Sequence, residues 1–132
     1  MQTFIHYFFH LIIPLLIAMV FFRKEWKKIY ILFLLTMLVD LDHLFASPVF
    51  QASRCSIGFH PLHSYYAIGG YGILLFFRKP FSILGLALLF HMFTDFIDCL
   101  WMFHDCPNCY MNAPAYPLLE VITEFLNLPT GM

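Results

Sequence analysis

The chain has 132 residues, of which 61% are hydrophobic and only 11% are charged, and its formal net charge is −1. A soluble domain typically carries about 25% charged residues. The composition therefore excludes an ordinary soluble domain and indicates a small integral membrane protein. The near-zero charge, without a basic stripe that carries interleaved aromatic residues, argues against nucleic acid as a partner. The length allows one domain, residues 1–132.

Four apolar segments predict an all-α fold, an integral membrane bundle of four transmembrane helices, because a span needs about 20 apolar residues. The segments cover residues 3–22, 29–46, 61–77 and 81–103. The first is predicted to be a retained helix, since its positive charges follow the apolar run and no small-residue cleavage site is present. A cleaved secretory signal is the alternative. The third is short, and three glycines in it suit close helix packing or a homodimer: Gly69, Gly70 and Gly72.

The remaining residues, 104–132, are predicted to form a short tail. Pro and Asn are frequent there before Leu118. Tyr116 to Leu128 is predicted to form an amphipathic helix with Glu120 and Glu124 one turn apart. This helix is too short to span a bilayer, so it lies either at the membrane interface or packed on the protein surface. The sequence supports both placements equally.

Basic residues predict the orientation of the spans. Only Arg54 lies in the loop between segments two and three, whereas the other six of the seven basic residues lie in the two remaining loops: Arg23, Lys24, Lys27, Lys28, Arg78 and Lys79. Cytoplasmic loops carry the excess of Lys and Arg. Both termini, the 47–60 loop and the tail are therefore predicted to be extracytoplasmic.

The ionisable residues of all four segments fall in the outer half of the predicted bundle. His6 and His10 are spaced i,i+4, as are His91 and Asp95, so each pair shares one helix face. Scattered core histidines would not sort to one depth in this way. Taken singly, each pair is more often an interhelical hydrogen bond; together they predict a site.

Two further pairs are spaced i,i+3. Asp40 and His43 share a helix face, and His60 and His63 flank Pro61, which is favoured at the first position of a helix. Asp42 is about 200° from Asp40 on an ideal helix. It is therefore expected to serve a second metal, to support another ligand, or to lie on a helix already unwinding before Pro48.

A divalent metal is the simplest counter-charge for these carboxylates, because the spans carry no Lys or Arg. Mixed nitrogen and oxygen ligands suit Zn²⁺, Mn²⁺ or Fe²⁺, with Zn²⁺ the default for chemistry without redox. The candidates exceed what one tetrahedral zinc accepts, so one to three ions are expected. The predicted ligands are His6, His10, Asp40, Asp42, His43, His60, His63, His91 and Asp95.

These motifs carry a resemblance. The series of His6 and His10, DLDH at 40–43, FHPLHS at 59–64 and HMFTD at 91–95 resembles the membrane-bound metal-dependent hydrolases of bacteria. The blocks VDLDHL, RCSIGFHPLHS and HMFTD resemble, more specifically, a small bacterial membrane family, over roughly residues 1–103. A more distant resemblance runs to the zinc-dependent phospholipase C and single-strand nuclease superfamily. The resemblance to the superfamily implies phosphoester hydrolysis and Zn²⁺ at His6, His10, Asp40, His43, His60, His63, His91 and Asp95. The resemblance to the membrane family implies a place in a bacterial inner membrane.

All four cysteines face or approach the predicted outside, where a disulfide is the simpler interpretation. Cys106 and Cys109 form a C-x-x-C, which is also compatible with structural zinc. The candidate pairs are Cys106–Cys109, or Cys55 with Cys99, Cys106 or Cys109. Arg54, next to Cys55, is expected either to hold a phosphate through its planar guanidinium or to be an ordinary interface residue.

The sequence thus predicts a metal-dependent hydrolase whose metal-bound water attacks a phosphoester, with a membrane lipid headgroup as the natural substrate. Asp42, His63 and Arg54 are the candidate catalytic residues. A non-haem di-iron lipid-modifying enzyme is the second hypothesis, although no H-x-x-H-H cluster is present. A divalent-cation or proton-binding membrane protein without enzymatic activity is the third, although the cytoplasmic half offers no polar pathway. A haem-binding bundle is a weaker fourth.

Overall fold

The computed structural model of the chain describes residues 2–45, 47 and 54–127. Every regular element in this part of the chain is a helix, which confirms the all-α prediction. Helices α1 (Gln2–Tyr7) and α2 (Ile13–Phe21) are joined without a break by a π-helical segment, Phe8–Ile12. Pro14 explains the π turn, because it has no N–H to donate and its ring would clash with the carbonyl four residues earlier.

Helix α3 (Trp26–Leu35) continues directly into a 3₁₀ helix, Thr36–Phe45. The Thr36 hydroxyl donates to the carbonyl of Phe33 at 2.6 Å, and such local bonds compete with α-helical pairing. The combined element is about 35 Å long, as calculated from the rise per residue of an α-helix and of a 3₁₀ helix. An unwinding helix was one of the three alternatives that the sequence left for Asp42. The change to 3₁₀ geometry turns the Asp42 carboxylate into the protein interior, where the residue is 3% exposed.

The third predicted span is shorter than expected. Pro61–His63 forms only a 3₁₀ turn, and helix α4 covers Tyr65–Leu74. Ser64 has an extended backbone and caps α4, because its hydroxyl accepts the N–H of Ala67 at 3.2 Å. The prediction that the helix starts at Pro61 is therefore wrong by one turn.

Helix α5 (Phe81–Asp105) is the longest described element, with 25 residues, and it contacts most of the other described helices. A 3₁₀ turn (Pro107–Tyr110) leads to α6 (Tyr116–Phe125). Helix α6 buries Leu119 and Thr123 against the rest of the chain. The predicted tail helix thus begins where expected, whereas its predicted end at Leu128 lies outside the described residues.

Two described helices are long and apolar enough to cross a membrane, Phe4–Phe21 and Phe81–Asp105. They correspond to the first and fourth predicted spans. The second and third predicted spans are not helices of this kind within the described residues, since one changes to 3₁₀ geometry and carries two carboxylates and the other has ten α-helical residues. Large apolar side chains cover the outside of the chain, including Phe4, Phe45, Tyr66 and Phe76.

Close helix packing occurs at a different glycine from the ones predicted. A Cβ built on Gly69, Gly70 or Gly72 would meet nothing within 4 Å among the described residues. One built on Gly85 of α5 would lie 2.7 Å from both the Tyr71 carbonyl oxygen and Leu74 Cβ. The absent side chain of Gly85 therefore lets α4 and α5 approach. The homodimer remains a prediction.

Two disulfides cross-link the described part of the chain. Cys55 pairs with Cys99, 44 residues later, and Cys106 pairs with Cys109. Both kinds of predicted pairing therefore occur, and the zinc alternative for Cys106 and Cys109 does not. The Cys55–Cys99 bond lies in an apolar cluster with Met92, Phe103 and Leu119, and it fixes the loop after residue 54 to α5.

Candidate metal centre

A polar layer crosses the bundle between two apolar clusters. One cluster contains Ile83 and Ala87 near the start of α5, and the other contains Cys99 and Phe103 near its end. Between them, buried polar side chains converge from four helical elements and the loop before Pro61: His10, Asp42, His60, His63, His91, Thr94 and Asp95. Because polar groups are buried only at a free-energy cost unless they find partners, their concentration in one layer marks the candidate site.

The layer resolves into three groups of side chains whose potential ligand atoms lie within 4.8 Å of one another. The central group is Asp40, His63, His91 and Asp95; the α1 group is His6, His10 and Asp95; the loop group is Asp42, His43 and His60. Asp95 belongs to two groups. All nine predicted ligands therefore fall in these groups.

The four histidine–aspartate distances in the central group match the spacing between ligands of one zinc ion. Nε2 of His63 lies 3.3 Å from Oδ1 of Asp40 and 3.0 Å from Oδ2 of Asp95. Nε2 of His91 lies 3.2 Å and 3.3 Å from the same two oxygens. Four ligands around a zinc ion with bonds near 2.0–2.1 Å stand about 3.3–3.4 Å apart. The four atoms thus enclose a space of the right size for one ion.

Three side-chain atoms of the central group are buried without a hydrogen bond from any described residue: Nε2 of His63, Nδ1 of His91 and Oδ2 of Asp95. Of these, Nε2 of His63 and Oδ2 of Asp95 are only 3.0 Å apart. Nδ1 of His63 donates to Oδ2 of Asp42 at 3.1 Å, so in the neutral ring Nε2 carries a lone pair. A lone pair facing a carboxylate oxygen in a buried place is unfavourable unless a cation lies between them. The donor set therefore fits a metal ion.

The α1 group is better supplied with hydrogen bonds. Nε2 of His10 lies 3.1 Å from Oδ1 of Asp95 and 2.9 Å from the hydroxyl of Thr94, which itself donates to the carbonyl of His91. The rings of His6 and His10 are 4.4 Å apart, as their i,i+4 spacing predicts. Asp95 presents Oδ1 to this group and Oδ2 to the central group, so its carboxylate lies between the two groups.

The loop group joins the 3₁₀ helix to the 54–64 loop. Nδ1 of His43 lies 3.1 Å from Oδ1 of Asp42, and Nδ1 of His60 lies 4.0 Å from the same oxygen. The His43 and His60 rings stack at 3.9 Å. Burial, followed by the facing imidazole of His43, lowers the pKa of His60 to about 4, so this ring is neutral at pH 7. The second oxygen of Asp42 accepts the N–H of Leu62 at 2.9 Å.

An open cavity of about 270 Å³ reaches these groups between α1 and the 3₁₀ helix. Its lining combines the polar residues His6, Asp40, His43, Ser56 and Asp95 with the apolar side chains of Met37, Leu41 and Leu44. The side chain of Asp40 is 32% exposed, against 5% for Asp95. Asp40 is therefore the carboxylate of the central group that faces the cavity most openly.

Two predicted pairings are corrected by the structure. Asp40 and His43 share a face but belong to different groups, and His60 and His63 are likewise divided between the loop group and the central group. The members of the first pair nevertheless remain close, with Nδ1 of His43 3.9 Å from Oδ1 of Asp40, because side chains at i and i+3 eclipse in a 3₁₀ helix. The guanidinium of Arg54 lies 4.9 Å from the centre of the Phe59 ring.

One residue of the site escaped the sequence argument. Ser56 lines the cavity, and its hydroxyl lies 2.9 Å from Nε2 of His43. No local spacing relates the two residues, because the loop brings them together across 13 positions. Thr94, three residues after His91, could be placed on the polar face by helix geometry alone.

The chain matches the model of a family of unknown function, DUF6122, over residues 1–102. The chain belongs to this family. The matched part contains every residue of the three groups and ends before Cys106. No curated protein and no solved structure matches the chain. The resemblance to metal-dependent hydrolases, and through them to the phospholipase C and nuclease superfamily, therefore stays a prediction.

Proposed function

We propose that this protein is a membrane-embedded, metal-dependent hydrolase that acts on a phosphoester such as a phospholipid headgroup. The observation that carries the proposal is the unsatisfied contact between His63 Nε2 and Asp95 Oδ2 inside the central group. Three buried or half-buried aspartates meet six histidines in this layer. The four apolar segments, which carry all of these residues except His60, contain no Lys or Arg. Divalent cations are the simplest source of the missing positive charge.

The central group would hold the first ion and the α1 group a second, with Asp95 shared between them. Zn²⁺ is the expected metal, and Mn²⁺ or Fe²⁺ would suit the same ligands. The loop group would hold a third ion at most. Bound divalent ions supply Lewis acidity toward a phosphoryl oxygen and an activated water.

The protein's own residues would orient and hold the substrate. Asp42 positions the ring of His63 and ties Leu62 to the 3₁₀ helix. The half-exposed Asp40 is placed to take a proton from a group in the cavity. Arg54, on the same loop as His60, would hold a phosphate oxygen through its planar guanidinium.

The proposed location is a bacterial inner membrane, crossed by four segments with both termini extracytoplasmic and the site in the outer half. Two apolar helices long enough to span and the apolar outer surface support a membrane setting. The α3–3₁₀ element, at about 35 Å, is also long enough to cross. The disulfides Cys55–Cys99 and Cys106–Cys109 support an oxidising environment on the proposed outer side.

The cavity supports an amphiphilic substrate. Its lining combines the candidate ligands with Met37, Leu41 and Leu44. In a membrane such an opening would admit a phosphate headgroup to the polar side chains while an acyl chain lies against the apolar ones. Membrane lipid is therefore the proposed partner.

A non-haem di-iron lipid-modifying enzyme is the second candidate, because a carboxylate that bridges two histidine-containing groups also suits a di-iron site. The two candidates differ in the metal bound and in the reaction. A divalent-cation or proton carrier is less well supported. In the described part of the chain, an apolar cluster of Ala18, Phe33 and Ile83 lies between the polar layer and the proposed cytoplasmic side.

The test is the metal content of the detergent-purified protein, measured by elemental mass spectrometry. Wild type is compared with Asp40→Ala and His91→Ala, and with Asp105→Ala as a control outside the three groups. We expect one to three zinc ions per chain in wild type and Asp105→Ala, and at least tenfold less of the central ion in the other two variants. Zinc-loaded protein should release phosphate or headgroup from mixed micelles of a phospholipid.

Iron in place of zinc would move the assignment to lipid oxidation. A folded protein that binds no divalent ion even after soaking would overturn the metal site itself. Zinc-loaded protein that hydrolyses no phosphomonoester, phosphodiester or phospholipid would overturn the phosphoester proposal.

A further inference from the structure

Ser56, His43 and Asp42 form a continuous hydrogen-bonded line that ends in the cavity. Nδ1 of His43 lies 3.1 Å from Oδ1 of Asp42 and 3.1 Å from the backbone carbonyl oxygen of Asp40. Both neighbours accept hydrogen bonds and neither donates, so Nδ1 carries the ring proton. Nε2 of the neutral ring is then free to accept from the Ser56 hydroxyl, 2.9 Å away.

We propose that Ser56 is a nucleophile of this protein, with His43 as its general base and Asp42 as the carboxylate that orients His43. An active nucleophile needs a base within about 2.6–3.2 Å and a third group that fixes the base. Both the base and the group that fixes it are present here, and Ser56 lines the cavity that Asp40 and Asp95 also line. The proposal rests on the proposed phosphoesterase function for its substrate.

The surroundings hold this line in place. The carbonyl of Ser56 accepts the N–H groups of Phe59 and His60, and the preceding Cys55 is bonded to Cys99 of α5. The serine backbone is thus fixed at both ends. The ring of His60 stacks on His43 at 3.9 Å with an interplanar angle of 28°, which holds the plane of the imidazole.

The reaction would proceed in two displacements. The Ser56 oxygen forms a bond to phosphorus while its proton passes to Nε2 of His43, and the bond from phosphorus to the leaving oxygen breaks. His43 returns this proton to the leaving oxygen, which departs as an alcohol. Water then attacks the phosphoserine ester, its proton passes to His43, and the Ser56 oxygen leaves and takes that proton back.

This role excludes an ion in the loop group. An ion bound to Nδ1 of His43 would move the ring proton to Nε2, and an ion bound to Nε2 would occupy the lone pair that Ser56 needs. The nucleophile and a loop-group ion are therefore alternatives. We expect ions in the central and α1 groups only, hence no more than two per chain.

The experiment uses the full-length, metal-loaded protein in detergent and a fluorophosphonate probe, which loses fluoride when a serine oxygen attacks its phosphorus. The adduct is located by peptide mass spectrometry. We compare wild type with Ser56→Ala, His43→Gln and the control Ser82→Ala, which changes a serine of α5 outside the three groups. Metal content and phospholipid hydrolysis are measured on the same preparations.

We expect one adduct on Ser56 in wild type and Ser82→Ala, none in Ser56→Ala, and at least tenfold slower labelling in His43→Gln. Ser56→Ala should keep its ions, which shows that it is folded, and should lose hydrolysis at least 100-fold. No adduct at Ser56 in metal-loaded wild type, or equal labelling in His43→Gln, would overturn the proposal.

The two proposals fail in different ways. Unchanged hydrolysis in metal-loaded Ser56→Ala would overturn the nucleophile while the metal-dependent hydrolase stands. His43-dependent labelling of Ser56 in a protein that binds no metal would support the nucleophile and overturn the metal site. A third ion in wild type that is lost in His60→Gln would place metal in the loop group and overturn the nucleophile.

Discussion

Nδ1 of His63 lies 3.1 Å from Oδ2 of Asp42, and this contact sets the direction in which the ring faces. With Nδ1 donating to Asp42, Nε2 points between Asp40 and Asp95. A carboxylate that holds a histidine in this way fixes its tautomer and raises its basicity toward a metal. Asp42 therefore acts on the central group without belonging to it.

Asp42→Asn should weaken zinc binding by the central group about 10- to 100-fold, the usual effect of losing such a supporting carboxylate. The amide has one accepting oxygen, so it cannot serve Leu62, His63 and His43 as the two carboxylate oxygens do. Affinity is measured by competition with a zinc chelator. Asp105→Asn is the control, because its side chain is 66% exposed and lies outside the groups. Equal affinity in both variants would contradict the orienting role.

Asp95→Asn should remove metal from the central and α1 groups together, because its two oxygens face different groups. His10→Gln removes a ligand of the α1 group alone and should leave the central ion. The measurement is the ion count per chain by elemental mass spectrometry after equal soaking and desalting. We expect at least tenfold less metal in Asp95→Asn and about one ion in His10→Gln.

Asp98→Asn provides the matched control for that comparison. Asp98 lies one turn further along α5 and approaches His6 at 3.8 Å, but it is in none of the three groups. Its ion count should equal that of wild type. An ion count in Asp95→Asn that matched that in His10→Gln would show that Asp95 serves only one site.

Local spacing predicted the parts of the site that lie within one regular helix. His91 and Asp95, four residues apart on α5, bring Nε2 and Oδ2 to 3.3 Å. This relation follows from the rise and twist of a helix. The rings of His6 and His10 also approach to 4.4 Å, across the junction of α1 and the π-helical segment. The convergence of the ionisable residues in one layer could be predicted from their positions along the four apolar segments.

Partner choice could not be predicted where the backbone departs from an α-helix. In the 3₁₀ helix after Thr36, Asp42 rather than Asp40 joins His43 in the loop group, and His60 and His63, at the turn that contains Pro61, contribute to different groups. Ser56 meets His43 only because the loop closes over the 3₁₀ helix, which no periodicity encodes. The glycine at which two helices pack closely could not be predicted for a similar reason, because it depends on how each helix is rotated about its axis. That rotation places Gly85 rather than Gly72 in the contact.

Replacing Cys55 and Cys99 by alanine should destabilise the protein more than replacing Cys106 and Cys109. The first bond closes a separation of 44 residues and the second a separation of three. In the chain-entropy model these loops correspond to about 4 and about 1.6 kcal/mol. The difference is read from thermal unfolding in detergent by circular dichroism. Equal losses of Tm would contradict the view that the Cys55–Cys99 bond holds the loop.

The same pair of variants reports on the site. Freed from α5, the 54–64 loop would hold His60 and His63 less firmly, so zinc affinity should fall in the Cys55→Ala/Cys99→Ala variant. The Cys106→Ala/Cys109→Ala variant should keep its zinc, because residues 106–109 contribute to none of the three groups.

Gly85→Ala should weaken both the fold and the metal site. Its Cβ would lie 2.7 Å from the Tyr71 carbonyl oxygen, and backbone cannot move aside as a flexible side chain can. Overpacking of this kind costs about 1–3 kcal/mol. Helix α4 would be pushed outward, and the Tyr71 hydroxyl, which donates to the carbonyl of Leu62 at 3.0 Å, would pull on the residue next to His63.

Gly72→Ala is the matched control, because its Cβ enters open space and alanine favours the helix by up to about 1 kcal/mol. We therefore expect Gly85→Ala to lower both Tm and zinc affinity, while Gly72→Ala leaves zinc affinity unchanged and Tm equal or slightly higher. Tm is measured by circular dichroism and affinity by chelator competition on the same samples. If Gly72→Ala instead lowered Tm in a concentration-dependent way, the open face of α4 would be a contact with a second copy of the chain. Loss of Tm in Gly85→Ala without loss of zinc affinity would show that α4 does not transmit its position to His63.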